Sequence, residues 1–480
     1  MKISENHAKL GGGMYLDRCE ANHINLNITR NSASEAGGGV YLLQATKFKG
    51  SNSTLIGNKI AQKADETNVA PIGGAGVYIN GRGFELNGFT ISESVSEKGG
   101  GIFVESESQG LLKNMVISRN TATESQGGGA LFVSADSDVT VMDSEINENN
   151  AAQGGGIAVE SAHVDLIAVL FFNNSADGSG GAMTVKGEKA VVLVDGCTFD
   201  SNQAQSGDGG GIALSDSKIP RVPPRAHVRR SIFRKNQALN GNGGQLMVSS
   251  GMVLDVDDTI IACETLWRNG DNEVMLGSLK KSAINGAGLY FGAKANGTLR
   301  GISVRGCKSE SGGGLYAVES GYVVVGDKSE FQYNVADFGG AISVSLKSNL
   351  LVDDVKIFDN QASYDGAGIH IEDTFVSIKN ILLLNNRADS RGGGLFVDKQ
   401  GEMVAEHVTL MENYAEGEGG GMYMGWGAIS TMKGCRFGSN SARASGGAIY
   451  TSSKEGLYLV GSKIHVPRYI PKLITKSSAT

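Results

Sequence analysis

Phe331-Gln332-Tyr333-Asn334-Val335-Ala336-Asp337-Phe338-Gly339-Gly340-Ala341-Ile342-Ser343-Val344 carries both marks that organise this chain. One is an apolar residue, two variable residues, Asn and then x-Ala. The other is a triplet of small residues followed by an aliphatic one. Read outward in both directions, the triplet recurs sixteen times, from Gly11 through Gly99, Gly127, Gly154 and Gly180 to Gly446. Twelve of the fifteen spacings lie between 25 and 29 residues, and a fixed period in that range means a solenoid or array. Asn occupies its place in thirteen units, while Ser94, Cys263 and Cys307 take it in the other three. All sixteen units keep an apolar residue three positions earlier, from Ile3 to Phe437, with Ile260 in the Cys263 unit.

Within a unit the local period is two. Val77 and Ile79, Ile102 and Val104, and Leu395 and Val397 are apolar around a variable residue, which is the signature of a half-buried strand. No unit carries a ten-residue stretch with helical spacing, and a propeller blade would need ~40–45 residues. A coil of 26–27 residues holding three short strands and three turns predicts an all-β fold, a right-handed parallel β-helix of about sixteen coils. Coils stacked at ~4.8 Å make a rod of roughly 75 Å. Equivalent residues then form columns along the axis. The triplet glycines permit positive φ at a tight corner. The Asn column, Asn334, Asn360, Asn386, Asn413 and Asn440 among its members, is expected to form an amide ladder that also tolerates the left-handed region.

Composition agrees with this reading and removes several others. Of 480 residues 70 are Gly but only 6 are Pro, without a Gly-X-Y period, so the chain is not collagenous. Charged residues make up 19% and hydrophobic residues 40%, which is too apolar for a disordered chain. The net charge is −7 and no Lys/Arg block forms a nucleic-acid footprint. Apolar runs are too short for a transmembrane helix. The opening residues, Met1 to Asn6, contain no apolar segment of a signal peptide.

The two marks together resemble the repeats of the chlamydial polymorphic outer membrane proteins, known by Gly-Gly-Ala-Ile and Phe-x-x-Asn. The first stands at Gly339–Ile342 and Gly446–Ile449, the second at Phe171–Asn174, Phe199–Asn202, Phe233–Asn236, Phe331–Asn334 and Phe437–Asn440. The likeness covers nearly the whole chain and extends to large surface proteins of algae and other protists. It implies a pectin-lyase-like β-helical passenger, adhesion and extracellular or cell-surface display. This chain departs from the family in using Gly-Gly-Gly more often, and no C-terminal run of amphipathic strands follows. Neither end reads as a cap, so a fragment of a larger chain is expected. The resulting expectation is a non-enzymatic, adhesin-like or structural rod whose partners are glycans or surface proteins. The alternative is a polysaccharide lyase or hydrolase on the same fold.

One β-helix domain over 1–467 and a basic tail over 468–480 account for the chain, with inserts at 59–73, 217–230 and 264–285. The two longer gaps after the Asn column leave from the same corner, and inserts on repeats often form the binding face. The adjacent acids Asp257-Asp258 and Asp353-Asp354 lie three coils apart, roughly 14 Å, beyond the ~5–9.5 Å of a hydrolytic carboxylate pair. Arg300, Asp327, Asp353, Lys379, Glu406 and Lys433 occupy one column of mixed sign and are expected to form weak exposed ion pairs. The seven His share no column; His370 and His407 read as solvent-facing. No phosphate loop and no calcium-binding repeat is present, so no cofactor is expected.

Two features remain. Cys263 and Cys307 are 44 residues apart but consecutive in the Asn column, and stacking brings their Cα atoms to ~4.8 Å, within disulfide reach. Cys19, Cys197 and Cys435 read as small core residues. The residue after the first inward aliphatic must point outward. Nine of these sixteen positions, Leu131 included among the sixteen, are Tyr or Phe. Tyr290 and Tyr316 should stand beside the insert at 264–285, with Trp267 overhanging them, as a candidate binding patch.

Overall fold

The computed structural model describes residues 1–44, 46–60, 73–125, 127–216, 219–264, 280–454 and 456–465. All regular elements among them are strands, and every pairing between strands is parallel. Strand formation follows from the period-two alternation. In Val139-Thr140-Val141, for example, the two valines are fully buried while Thr140 between them is not. Sixteen strands, from Met14–Asp17 to Ile449–Thr451, make one sheet. A second, 31-stranded sheet takes two strands from most coils, such as Asp138–Met142 and Glu145–Asn147. Short strands after the Asn column, such as Thr121–Ala122, complete the coil in sheets of nine and five.

The interior is one continuous apolar column. Stacked Phe171, Phe199 and Phe233 pass through it with ring centroids 4.5 Å apart. At the Gly99 corner the backbone leaves no room for a side chain. A Cβ on Gly99, whose φ is +55°, would lie 2.2 Å from the Ile102 carbonyl oxygen, and one on Gly100 would lie 2.5 Å from that of Thr121.

The Asn ladder has a direction. The backbone N–H and side-chain amide of Asn360 both donate to Asn386 Oδ1, at 3.2 and 3.0 Å. Asn386 does the same to Asn413, and Asn413 to Asn440. The amide also donates back to the carbonyl of the inward residue one coil earlier, as Asn386 does to Ile357 and Asn334 to Val304. The left-handed residue of this turn is not Asn but the one before it: Tyr333, Asp359, Asn385, Glu412 and Ser439 have φ between 51° and 57°. The expectation that Asn itself takes that conformation is therefore corrected. The amide reaches the next coil from an ordinary backbone, and the strain sits on its neighbour.

The register differs from the sequence reading at three places. In the mixed-sign column Gly326, not Asp327, pairs with Arg300, and Asp327 lies just beyond the strand. The triplet taken to begin at Gly127 begins at Gly128, whose carbonyl contact with Leu131 matches that of Gly99 with Ile102. Phe132, not Leu131, then pairs with Phe103 and points outward. In the Cys263 unit, Ile261 pairs with Phe233 and Val304 and is buried, while Ile260 is exposed. Cys263 therefore sits one residue before the Asn place.

Candidate functional site

The structure joins Cys263 and Cys307 in a disulfide with Cα atoms 4.8 Å apart. The missing amide next to them is supplied from elsewhere. Gln245, third residue of its triplet, accepts from the backbone N–H and the side-chain amide of Asn236. Beyond the disulfide the ladder resumes, with the Cys307 N–H donating to Asn334 Oδ1 at 3.1 Å. Cys197 and Cys435 are buried, and burial pushes the Cys197 thiol up to about 11. Cys19, in the first coil, is only half-buried, because no earlier coil covers it in the structure.

The outward column of the sixteen-strand sheet is where the aromatic residues gather. Tyr15, Tyr41, Tyr78, Phe103 and Phe132 stack with centroids 4.8 to 5.3 Å apart. A second stack runs His370, Phe396, Tyr423, Tyr450, at 4.8, 5.1 and 5.4 Å. Pointing outward does not mean facing solvent here, because flanking segments close over the rings. The Arg391 guanidinium, held by Asp365 at 2.8 Å, lies over both Phe396 and Tyr423. His370 is 4% exposed and stacked, so its reading as solvent-facing is corrected. Burial drives its pKa down to about 3, so it is neutral. His407 is exposed.

Tyr290 and Tyr316 differ from both stacks. Their rings are 5.9 Å apart and tilted by 53°, and both stay partly exposed. The Tyr316 hydroxyl meets Ser345 Oγ at 3.1 Å, and burial pushes the Tyr290 phenol up to about 12. Away from Tyr15 and Tyr450 in the terminal coils, these are the aromatics of the column that remain accessible. Trp267 lies outside the described residues, as does most of the insert at 264–285 and of that at 59–73. The ends of the former, Glu264 and Lys280, line a polar cavity of about 480 Å³ with Lys235 and Gln237.

The mixed-sign column lies on the 31-stranded sheet and forms ion pairs between coils. Arg300 reaches Asp257 at 3.8 Å and Asp327 at 3.5 Å, and Lys379 and Lys433 each approach Glu406 at 3.9 Å. A denser cluster stands a few coils earlier. Asp195 is clasped by Arg229 and Arg230, which hold its carboxyl below the usual range. His227 meets Asp257 at 2.7 Å. Asp255, register partner of His227, shares the outward face of Val253–Asp257 with Asp257. Two residues along one strand place their Cα atoms ~6.6 Å apart, so both carboxylates stand side by side on one face. This pair is not among the adjacent acids; its signal in the sequence is the period-two spacing of the strand. Among the described residues no group of three His, Cys, Asp or Glu is placed to hold a metal ion.

Sequence comparison agrees with this architecture. The description "right handed beta helix region" matches residues 25–199, 75–261 and 266–403, and the chain belongs to that family. A search of curated proteins gives no match.

Proposed function

We propose that this rod is a non-enzymatic recognition scaffold, adhesin-like and displayed outside the cell or at its surface. Its ligands are glycans or surface proteins. The observation that carries the reading is the contrast within one column: aromatics are sealed on either side, while Tyr290 and Tyr316 remain accessible at mid-rod. Accessible aromatic anchors commonly dominate binding energy, and side-by-side tyrosines offer both apolar faces and hydroxyls. Likeness to the chlamydial polymorphic outer membrane repeats supports surface display. Among the described residues no helix is long and apolar enough to cross a membrane.

The test is a glycan and surface-protein binding array. Tyr290→Ala/Tyr316→Ala is expected to weaken binding by at least tenfold without changing the circular dichroism spectrum. Binding that survives the double substitution removes the patch from the function.

A second reading has its own observation. Asp255 and Asp257, with His227 and Arg300 beside them, form an acid–base set suited to glycoside hydrolysis. Polysaccharide cleavage that disappears in Asp255→Asn and Asp257→Asn would establish this reading and displace the first.

A further inference from the structure

The corner that follows the sixteen-strand sheet opens, beside Tyr290 and Tyr316, into a cavity of about 550 Å³ lined by Lys294, Glu319, Ser320, Leu346, Lys347 and Asp373. These residues follow the strands Leu289–Phe291, Leu315–Val318, Ile342–Ser345 and Ile369–Glu372 in four successive coils. Both tyrosines lean toward this corner. The Tyr290 ring lies over Gly292, where a Cβ would meet Cε1 at 2.7 Å and the hydroxyl oxygen at 3.3 Å. The Tyr316 hydroxyl meets Ser345 Oγ at 3.1 Å, and Ser345 precedes Leu346. Rings and cavity therefore form one continuous groove.

The turn at Leu346 is costly in itself. Leu346 and Lys347 have φ of +52° and +58°, a region that residues other than Gly, Asn and Asp seldom enter. Leu346 is also 47% exposed. Two coils on, the register-matched turn places Lys399 where Leu346 stands, and Lys399 closes on Glu372 at 2.9 Å. Leucine can make no such tie. Strain of this kind gathers at ligand clamps.

The charges stand open as well. Along the rod their signs alternate, Lys294, Glu319, Lys347, Asp373, in steps of ~4.8 Å, yet among the described residues none of the four is in an ion pair. On the floor, Ser320 is 4% exposed and its Oγ has no hydrogen-bond partner, whereas buried polar groups are ordinarily satisfied. The backbone beneath is already tied from coil to coil. The Lys294 N–H donates to the Glu319 carbonyl and the Lys347 N–H to the Asp373 carbonyl, each at 2.7 Å. A preformed surface loses little by ordering when it binds. A neutral sugar brings no counter-charge for these four ions and no apolar side chain for Leu346. An acidic polysaccharide is opposed by Glu319 and Asp373. A polypeptide supplies charges of both signs and an apolar group together.

Resting on the recognition role proposed for Tyr290 and Tyr316, we infer that the partner is a protein, held through one extended segment with an apolar side chain between charges of both signs. The apolar side chain packs on Leu346 and the tyrosine rings. Carboxylates of the segment pair with Lys294 and Lys347, and its basic groups with Glu319 and Asp373. The four coils span ~14 Å, the length of about five extended residues.

Panning a phage library of random peptides of about twelve residues, longer than the groove, against the intact rod supplies the probe. A glycan array runs beside it. Enriched peptides are expected to carry both charge signs around an apolar residue. The synthetic consensus peptide should bind by fluorescence anisotropy, and more weakly as salt rises. It should lose roughly tenfold or more in Lys294→Glu/Lys347→Glu and in Leu346→Asn, the latter keeping a residue suited to the left-handed turn. Exchanging the peptide's acids for lysines should restore binding to Lys294→Glu/Lys347→Glu, which a misfolded variant could not show. Peptide binding unchanged in both variants overturns the inference, as does a glycan whose binding is lost in Leu346→Asn. If Tyr290→Ala/Tyr316→Ala abolishes binding while the Leu346 and lysine variants retain it, the tyrosine patch stands and the protein partner falls. If the tyrosine variant binds like the wild type, the patch fails and the inference with it.

Discussion

The corner after each second strand is built in two ways. From Asn334 to Asn440 it is an unbroken amide relay, each coil donating twice to the next. Between Asn236 and Asn334 the relay is interrupted, and Gln245 with the Cys263–Cys307 disulfide takes its place. The contrast shows that the corner needs a coil-to-coil tie and a satisfied set of donors rather than Asn as such. An amide column does both at once. Where the long insert departs, the tasks are divided: Gln245 satisfies the donors of Asn236 and the disulfide supplies the tie.

Three measurements would break or sharpen that contrast. The largest effect is expected at the interruption. The disulfide closes 44 residues, and the chain-entropy model gives about 4 kcal/mol for such a loop. Cys263→Ser/Cys307→Ser should lower the urea midpoint accordingly and let the flanking coils exchange amide hydrogens first. Unchanged exchange there would mean that the covalent tie is redundant. Within the relay, Asn386→Ala removes the acceptor of two Asn360 donors and the donor to Ile357. Unsatisfied buried groups cost about 1–3 kcal/mol each, so a loss of about 3 kcal/mol is expected, with faster exchange at Asn360 and its neighbours. Gln245→Ala should behave alike if the substitute is equivalent.

The third measurement uses pH. His370 sits in the half with the unbroken relay, and its folded pKa lies far below its unfolded value of 6.5. The unfolded chain therefore takes up the proton first, and stability falls as pH drops below about 6.5, levelling off only near the folded pKa. At pH 5 the cost is about 2 kcal/mol. His370→Phe keeps the stack with Phe396 and should remove this loss, read as a smaller drop in melting temperature between pH 7 and pH 5. An identical drop in the variant would show that His370 gains access to water in the folded state.

Much of this architecture was readable because a repeated unit states its own register many times. The misreadings came where two frames were equally apolar. Gly127-Gly128-Gly129-Ala130 offers two triplets, and Ile260-Ile261 offers two inward residues; only burial decides between them. His370 was misplaced for another reason. Alternation tells which side of a strand a residue takes, not what lies over that side, and Phe338, from the corner before a triplet, packs against His370 with centroids 5.4 Å apart. Asp255 escaped because it stands two residues from its partner.

The one-way donation of the ladder bears on how such a chain leaves the ribosome. Within the unbroken relay each Asn waits for an acceptor that belongs to the following coil, so a rod whose synthesis stops there ends on an unmet amide hydrogen and backbone N–H. About 26 further residues bring the next oxygen. Synthesis and coil formation thus advance in the same direction, and a pause in translation holds open one particular corner, the last to have emerged.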